Sequence, residues 1–249
     1  MSDLPKRLAE AVRTRTAIAP EAGALTLEEA YDLQDELIDL LGLPVKAAKL
    51  GLTSLAKQRQ MHVDEPAYGW LLQGTQVDVG TALSCGALIQ PRAEPEIAFR
   101  IARDLAGRAV TATQVLAATD AVLPAIDVLD SRYAGYEFTL PAVVADNISS
   151  ARYALGAPAP VAGLDLRVLG CVFERNGELV DTAAGAAVLD HPAAAVAWFV
   201  RSLHGRGRGL AAGTVVLAGA LTAAVPVGPG DVVRATFDRI GAVELRCGA

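Results

Sequence analysis

The feature that most restricts the fold is a change of pattern near residue 75 of this 249-residue chain. From there, short segments place apolar residues at every second position, which is typical of β-strands. Asn176-Gly177 between two of them predicts a type I′ hairpin turn. The predicted strands lie near residues 96–101, 122–129, 168–175, 178–183, 214–219, 231–238 and 242–247. Few helices separate them, so an α+β fold with mixed sheets in a sandwich or roll is expected rather than a regular βαβ series.

The first quarter of the chain has helical spacing instead. Apolar residues recur at helical intervals over residues 4–12, and Thr26 with Glu29 forms a capping box that predicts the start of a second helix ending at Gly42. The predicted buried stripe of that helix is Leu33, Leu37 and Leu41. Shorter helices are predicted near residues 54–60, 111–118 and 192–203. We therefore expect a helical N-terminal part over residues 1–74 and a mainly β domain over residues 75–249.

Two carboxylates one residue apart, Glu94 and Glu96, precede the alternating run of the first predicted strand. Strand side chains repeat every two residues, so both acids project from one face, and Asp127 in a second apolar run is a candidate third member. Adjacent carboxylates repel unless a cation or a proton separates them, and hard ions such as Mg2+ prefer oxygen ligands. The alternative is that the acids line the solvent face of an edge strand.

Lys49 lies in an apolar stretch of a chain that has few lysines. If it is buried, its ammonium group needs an anionic partner, and it could then donate a proton or stabilise an oxyanion. The alternative is that the side chain extends along the apolar surface and keeps its charge in solvent.

Composition and motifs exclude several classes of function. A net charge of −6 with scattered arginines argues against a nucleic-acid surface, and no apolar run approaches the roughly 18 to 20 residues of a membrane helix. The start of the chain lacks the pattern of a secretion signal, so a cytoplasmic location is expected.

The three cysteines are far apart and suit reduced thiols. The phosphate-loop, dinucleotide and nucleophile-elbow motifs are missing, and the histidines, which are His62, His191 and His204, give little support to a catalytic triad or a two-histidine metal site.

Six segments in order resemble the 2-oxopent-4-enoate hydratase and 4-oxalocrotonate decarboxylase family, within the fumarylacetoacetate hydrolase superfamily. They are residues 49–54 (KLGLTS), 94–96 (EPE), 130–133 (DSRY), 144–150 (VADNISS), 185–192 (GAAVLDHP) and 219–227 (GALTAAVPV). The resemblance spans about residues 25–246. It implies a mixed β-sandwich roll and a Mg2+ or Mn2+ ion held by Glu94, Glu96 and Asp127, with Lys49 matching the family's active-site lysine. Two departures are Pro95 between the first two ligands and the shorter Asp127 where close relatives usually have glutamate.

Residues 130–133 and 222–226 are more similar to the decarboxylase branch than to the hydratases. The resemblance therefore implies metal-dependent decarboxylation of 2-oxohex-3-enedioate in meta-cleavage degradation of aromatic compounds. The alternative is a 2-oxopent-4-enoate hydratase. Diketone hydrolysis ranks lower because no histidine precedes His62, and a catalytically silent binding protein is the alternative from another class.

The resemblance also implies roles for other residues and for partners. Lys49 would stabilise the developing oxyanion, while Thr222, Asn147 and Ser149 would contact the substrate carboxylate; for Thr222 and Ser149 the alternative is ordinary turn chemistry. A homo-oligomer is expected, and a complex with a cognate hydratase would capture the unstable dienol product.

Overall fold

The computed structural model describes residues 3–20, 25–54, 58–59, 63 and 65–249. The strands are β1 (Val45–Gly51), β2 (Ala67–Leu72), β3 (Ala82–Ser84), β4 (Arg92–Ile101), β5 (Thr119–Leu129), β6 (Ser150–Leu155), β7 (Ala159–Pro160), β8 (Gly170–Arg175), β9 (Glu178–Ala184), β10 (Val215–Ala220), β11 (Val225–Pro226), β12 (Val232–Phe237) and β13 (Gly241–Gly248). The α-helices are α1 (Leu4–Thr14), α2 (Leu27–Leu41), α3 (Ala112–Ala118), α4 (Leu140–Ala145) and α5 (Pro192–Gly205).

The strands form two mixed sheets. The large sheet has the order β2-β1-β10-β4-β5-β6, with β11 added on β4 and β7 on β5, and the small sheet has the order β3-β13-β12-β8-β9. The pairs β1–β10 and β3–β13 are parallel, whereas the other pairs are antiparallel. Strands β12 and β13 pack against β5, so the sheets lie face to face. The predicted α+β sandwich roll is confirmed.

Every predicted strand region contains a strand, and β4 begins four residues earlier than expected, at Arg92. The sequence pattern did not reveal β2, because all six of its residues are buried and the alternation that marks a half-buried strand is missing. Strands β1 and β2 precede residue 74 and pair within the large sheet. The division at residue 74 stays a prediction, and most of the helix expected near residues 54–60 lies outside the described residues.

Local turn and capping signals are confirmed. Asn176 and Gly177 have φ values of 57° and 80°, as a type I′ turn between β8 and β9 requires. Thr26 and Glu29 form the capping box of α2, and Gly42 ends that helix in the left-handed conformation. His191 caps α5, since its Nδ1 accepts a hydrogen bond from the Ala193 N–H.

The buried face of α2 differs from the predicted leucine stripe. Leu37 is fully buried, but Leu33 and Leu41 are only half-buried. Gln34 is fully buried instead. Its Nε2 donates hydrogen bonds to the backbone carbonyls of Tyr68 and Val144, and these bonds join α2 to β2 and α4. Within the described part of the chain, no helix is long and apolar enough to span a membrane.

Candidate metal centre

Three acidic side chains meet on one face of the large sheet. Glu94 and Asp127 are direct partners across the antiparallel pair β4–β5, and Glu96 lies two residues further along β4. One carboxylate oxygen from each lies within 4.8 Å of the others. All three residues are buried, with at most 5% of their surface exposed. Because β4 lies between β10 and β5, the alternative of a solvent-facing edge strand is wrong.

Lys49 completes the cluster from β1. Its Nζ lies 2.5 Å from Asp127 Oδ2 and donates to the Ile148 carbonyl oxygen at 3.3 Å. The residue is 1% exposed, so the alternative of a solvent-exposed ammonium is also wrong. Burial by itself lowers the pKa of Lys49, but the charges of Asp127, Glu94 and Glu96 outweigh it and raise that pKa above its usual value. These charges therefore favour the protonated, positively charged form of the lysine.

One ammonium group does not balance three buried carboxylates. Burial raises the pKa of Glu96 well above its usual value, with a further contribution from Asp127 and Glu94, and burial also raises the pKa of Asp127. Glu96 Oε1 and Asp127 Oδ1 accept no hydrogen bond from any described residue. Buried, unpaired carboxylate oxygens at this spacing fit the ligand preference of a hard divalent cation.

Gly219 supports this centre through its backbone. Its N–H donates to Glu96 Oε2 at 2.6 Å, where the pairing of β10 with β4 is irregular. Gly219 has φ +111°, and a Cβ added there would lie 1.9 Å from Thr53 Oγ1. Only glycine therefore fits this position. The sequence analysis missed Gly219, although it opens one of the segments that carry the family resemblance.

The turn between α4 and β6 supplies the carbonyl that faces Lys49. Asn147, Ile148 and Ser149 all have positive φ values, of 51°, 40° and 55°, a costly conformation for residues other than glycine. A buried ion pair between Asp146 and Arg132 holds the start of the turn. Burial raises the pKa of Asp146 to about 6, although the charge of Arg132 acts in the opposite direction.

Asn147 holds the other side of the turn. Its Oδ1 accepts from the Trp70 N–H at 2.7 Å, and its Nδ2 donates to the Trp70 carbonyl at 2.8 Å. The side chain is buried against β2 and does not line the cavity described next. Contact of Asn147 with a substrate stays a prediction, and these hydrogen bonds favour a structural role.

A cavity of about 560 Å³ opens onto the cluster. Lys49, Glu94, Ser149 and Thr222 line it, so two of the three residues predicted to bind substrate lie beside the acids. Apolar side chains form much of the remaining wall: Leu52, Leu129, Phe138, Val143, Ile148 and Leu221. A second cavity, of about 760 Å³, lies against β12 and β13 and contains none of the predicted site residues.

Comparison with known proteins agrees with this fold. Residues 45–247 match the family described as fumarylacetoacetate (FAA) hydrolase C-terminal. The chain is 45% identical over 226 residues to a 4-oxalocrotonate decarboxylase of Pseudomonas sp. (strain CF600), covering 89% of this chain and 86% of that protein. It is 37% identical over 244 residues to a 2-keto-4-pentenoate hydratase of Paraburkholderia xenovorans (strain LB400), covering 95% and 91%. The chain belongs to the FAA hydrolase C-terminal family.

The fold of this chain is also similar to that of a solved structure. It is the 4-oxalocrotonate decarboxylase from Pseudomonas putida G7, complexed with magnesium and adipate. The TM-score is 0.94 at 39% identity, covering 98% of this chain and 95% of that one. The similarity therefore includes helices α1 and α2 as well as both sheets.

Proposed function

We propose that this protein is a lyase that converts 2-oxohex-3-enedioate (4-oxalocrotonate) to 2-hydroxypenta-2,4-dienoate and CO2, a step in meta-cleavage degradation of aromatic compounds. The observation that carries the proposal is the buried set of Glu94, Glu96 and Asp127 beside Lys49, next to a cavity of about 560 Å³. Similarity to 4-oxalocrotonate decarboxylases at 45% and 42% identity supports this reaction.

We propose Mg2+ or Mn2+ as the cofactor and Glu94, Glu96 and Asp127 as its ligands. The unpaired oxygens of Glu96 and Asp127 fit such an ion, and a related decarboxylase has been solved with magnesium. An ion bound there would act as a Lewis acid toward negative charge on the 2-oxo oxygen of the substrate. Asp127 is one methylene shorter than glutamate, but the direct pairing with Glu94 already brings it into the cluster.

The proposed reaction breaks the C5–C6 bond and releases the distal carboxylate as CO2. The bonding electrons move through C4 and C3 onto the C2 oxygen, and one proton completes the dienol. Lys49 supplies a fixed positive charge in a dry setting, where such a charge stabilises a developing oxyanion most strongly. Its ammonium group is also the proposed proton donor to that oxygen.

The remaining cavity residues have two proposed roles. Ser149 and Thr222 line the cavity and are proposed to bind substrate carboxylate oxygens. The apolar wall formed by Leu52, Phe138 and Val143 would exclude water. Exclusion of water favours loss of a charged carboxylate as neutral CO2 and strengthens the electrostatic contribution of Lys49.

A hydratase acting on 2-hydroxypenta-2,4-dienoate is the second candidate, because the chain is also 37% identical to hydratases. That reaction uses the same carboxylate cluster but requires a positioned water. The purified protein should be incubated with each substrate in Mg2+, with release of CO2 and loss of the diene followed separately. Magnesium-dependent CO2 release from the dicarboxylate is expected. Water addition to the dienoate without CO2 release would contradict the decarboxylase proposal and support the hydratase.

We also propose that the protein is a cytoplasmic homo-oligomer that associates with the hydratase consuming its product. A dienol that is released into water can ketonise before capture, so a complex would protect it. Light scattering at micromolar concentration should show an oligomer, and a monodisperse monomer would contradict this part. Co-purification with the cognate hydratase tests the complex, and separate elution would count against it.

A further inference from the structure

Two described residues that line the cavity are positively charged, Lys49 and Arg92. Lys49 forms an ion pair with Asp127. Arg92 is half-buried, yet it forms no ion pair with any residue in the described ranges. Arginines elsewhere in the fold do pair, as Arg100 does with Asp120. A partly desolvated guanidinium without an acidic partner, at the wall of a cavity, is available to an anionic ligand.

Arg92 lies on the same strand face as the metal-binding candidates. It precedes Glu94 by two residues and Glu96 by four residues in β4. At about 3.3 Å per residue, its Cα lies about 7 Å from that of Glu94. Exposure increases from Glu96 at 0% through Glu94 at 5% to the half-buried Arg92. Arg92 therefore lies toward the solvent side of the acidic cluster.

The guanidinium group of Arg92 is held in place by Tyr136. Its Cζ lies 4.0 Å from the centroid of the tyrosine ring. The ring is itself fixed, because Tyr136 Oη donates to the Gln90 carbonyl at 3.2 Å and Gln90 Nε2 donates to the Ser131 and Tyr133 carbonyls. Stacking occupies a face of the guanidinium and leaves N–H groups at its edge free for a carboxylate.

We propose that Arg92 determines specificity for dicarboxylates by binding the carboxylate of the substrate that lies away from the Glu94–Glu96–Asp127 cluster. This inference rests on the proposed function and assigns a residue to its substrate. That carboxylate loses its charge as it leaves as CO2, so Arg92 stabilises the bound substrate more than the transition state. Loss of Arg92 therefore raises KM and does not lower kcat.

Equilibrium binding separates this role from catalysis. Adipate and hexanoate have the same number of carbons but differ by one carboxylate, and titration calorimetry in Mg2+ gives the affinity of each. Arg92→Gln should weaken adipate about tenfold, the scale of a charge-assisted hydrogen bond at a half-exposed site, and should change hexanoate less than twofold. The matched control is Arg100→Gln, which removes the same charge from the same strand outside the cavity and should leave both affinities unchanged.

Unchanged affinity for adipate in Arg92→Gln would overturn the inference. An equal loss of affinity for adipate and hexanoate would also overturn it, because that result indicates a general disturbance around Tyr136. A fall in kcat at unchanged KM would also overturn it. The binding result can fail separately from the proposed reaction. If the protein shows the expected discrimination but releases no CO2, the decarboxylase proposal fails while the role of Arg92 stands. If it releases CO2 but the variant keeps full adipate affinity, only the inference about Arg92 fails.

Discussion

Replacement of Lys49 by methionine tests the chemistry of the site most directly. The variant keeps a side chain of similar length but removes the charge that lies 2.5 Å from Asp127 and faces the Ile148 carbonyl. We expect turnover of 2-oxohex-3-enedioate in Mg2+ to fall by about 10²- to 10⁴-fold, the usual scale for one proton-transfer or oxyanion-stabilising group. Initial rates of CO2 release measure this loss.

The same substitution should change stability in a way that depends on the metal. Removal of one partner from a buried ion pair typically lowers the free energy of unfolding by about 3–5 kcal/mol, because the other charge is left uncompensated. A divalent cation at the three carboxylates would supply positive charge in place of the ammonium group. Thermal unfolding should therefore show a large loss of stability in chelator and a smaller loss in saturating Mg2+.

Lys46→Met is the matched control, since Lys46 lies on the same strand, three residues earlier, and is exposed. It should keep both rate and stability. A loss of turnover below about threefold in Lys49→Met, measured on folded protein with bound metal, would refute a catalytic role for this lysine. A stability loss of equal size with and without Mg2+ would contradict the proposed compensation between the lysine and the metal.

Two further predictions concern the metal and the turn. Removal of the metal by a chelator should abolish turnover, and full activity in chelator would contradict the metal site. Glu96→Gln should weaken Mg2+ binding by at least tenfold in titration calorimetry, because the substitution removes one of three anionic ligands. Asn147→Ala should lower the free energy of unfolding by about 2–3 kcal/mol, since it leaves the buried Trp70 N–H without its acceptor, with little change in KM. Chemical denaturation measures the loss, and a raised KM at unchanged stability would instead indicate substrate binding.

Several features of this protein follow from the sequence alone because they depend on neighbours in the chain. Alternating apolar residues predicted seven of the strands, Asn176-Gly177 predicted the hairpin turn, and Thr26 with Glu29 predicted the start of α2. The shared face of Glu94 and Glu96 is equally local, since it depends only on the two-residue period of a strand. The six segments that resemble the family, taken in their order along the chain, also sufficed to identify it.

Other features were decided only by tertiary structure, because they join residues distant in sequence. The register of β4 on β5 places Asp127 opposite Glu94, and the pairing of β1 with β10 brings Lys49 to the same cluster. No local pattern distinguishes an asparagine that binds substrate from one whose amide is bound by a neighbouring strand, as Asn147 is. Likewise, the aromatic contact that holds Arg92 depends on a loop packed against β4. The two-residue period of a strand determines the face from which a side chain projects. Sheet register and loop packing determine which residues it contacts there.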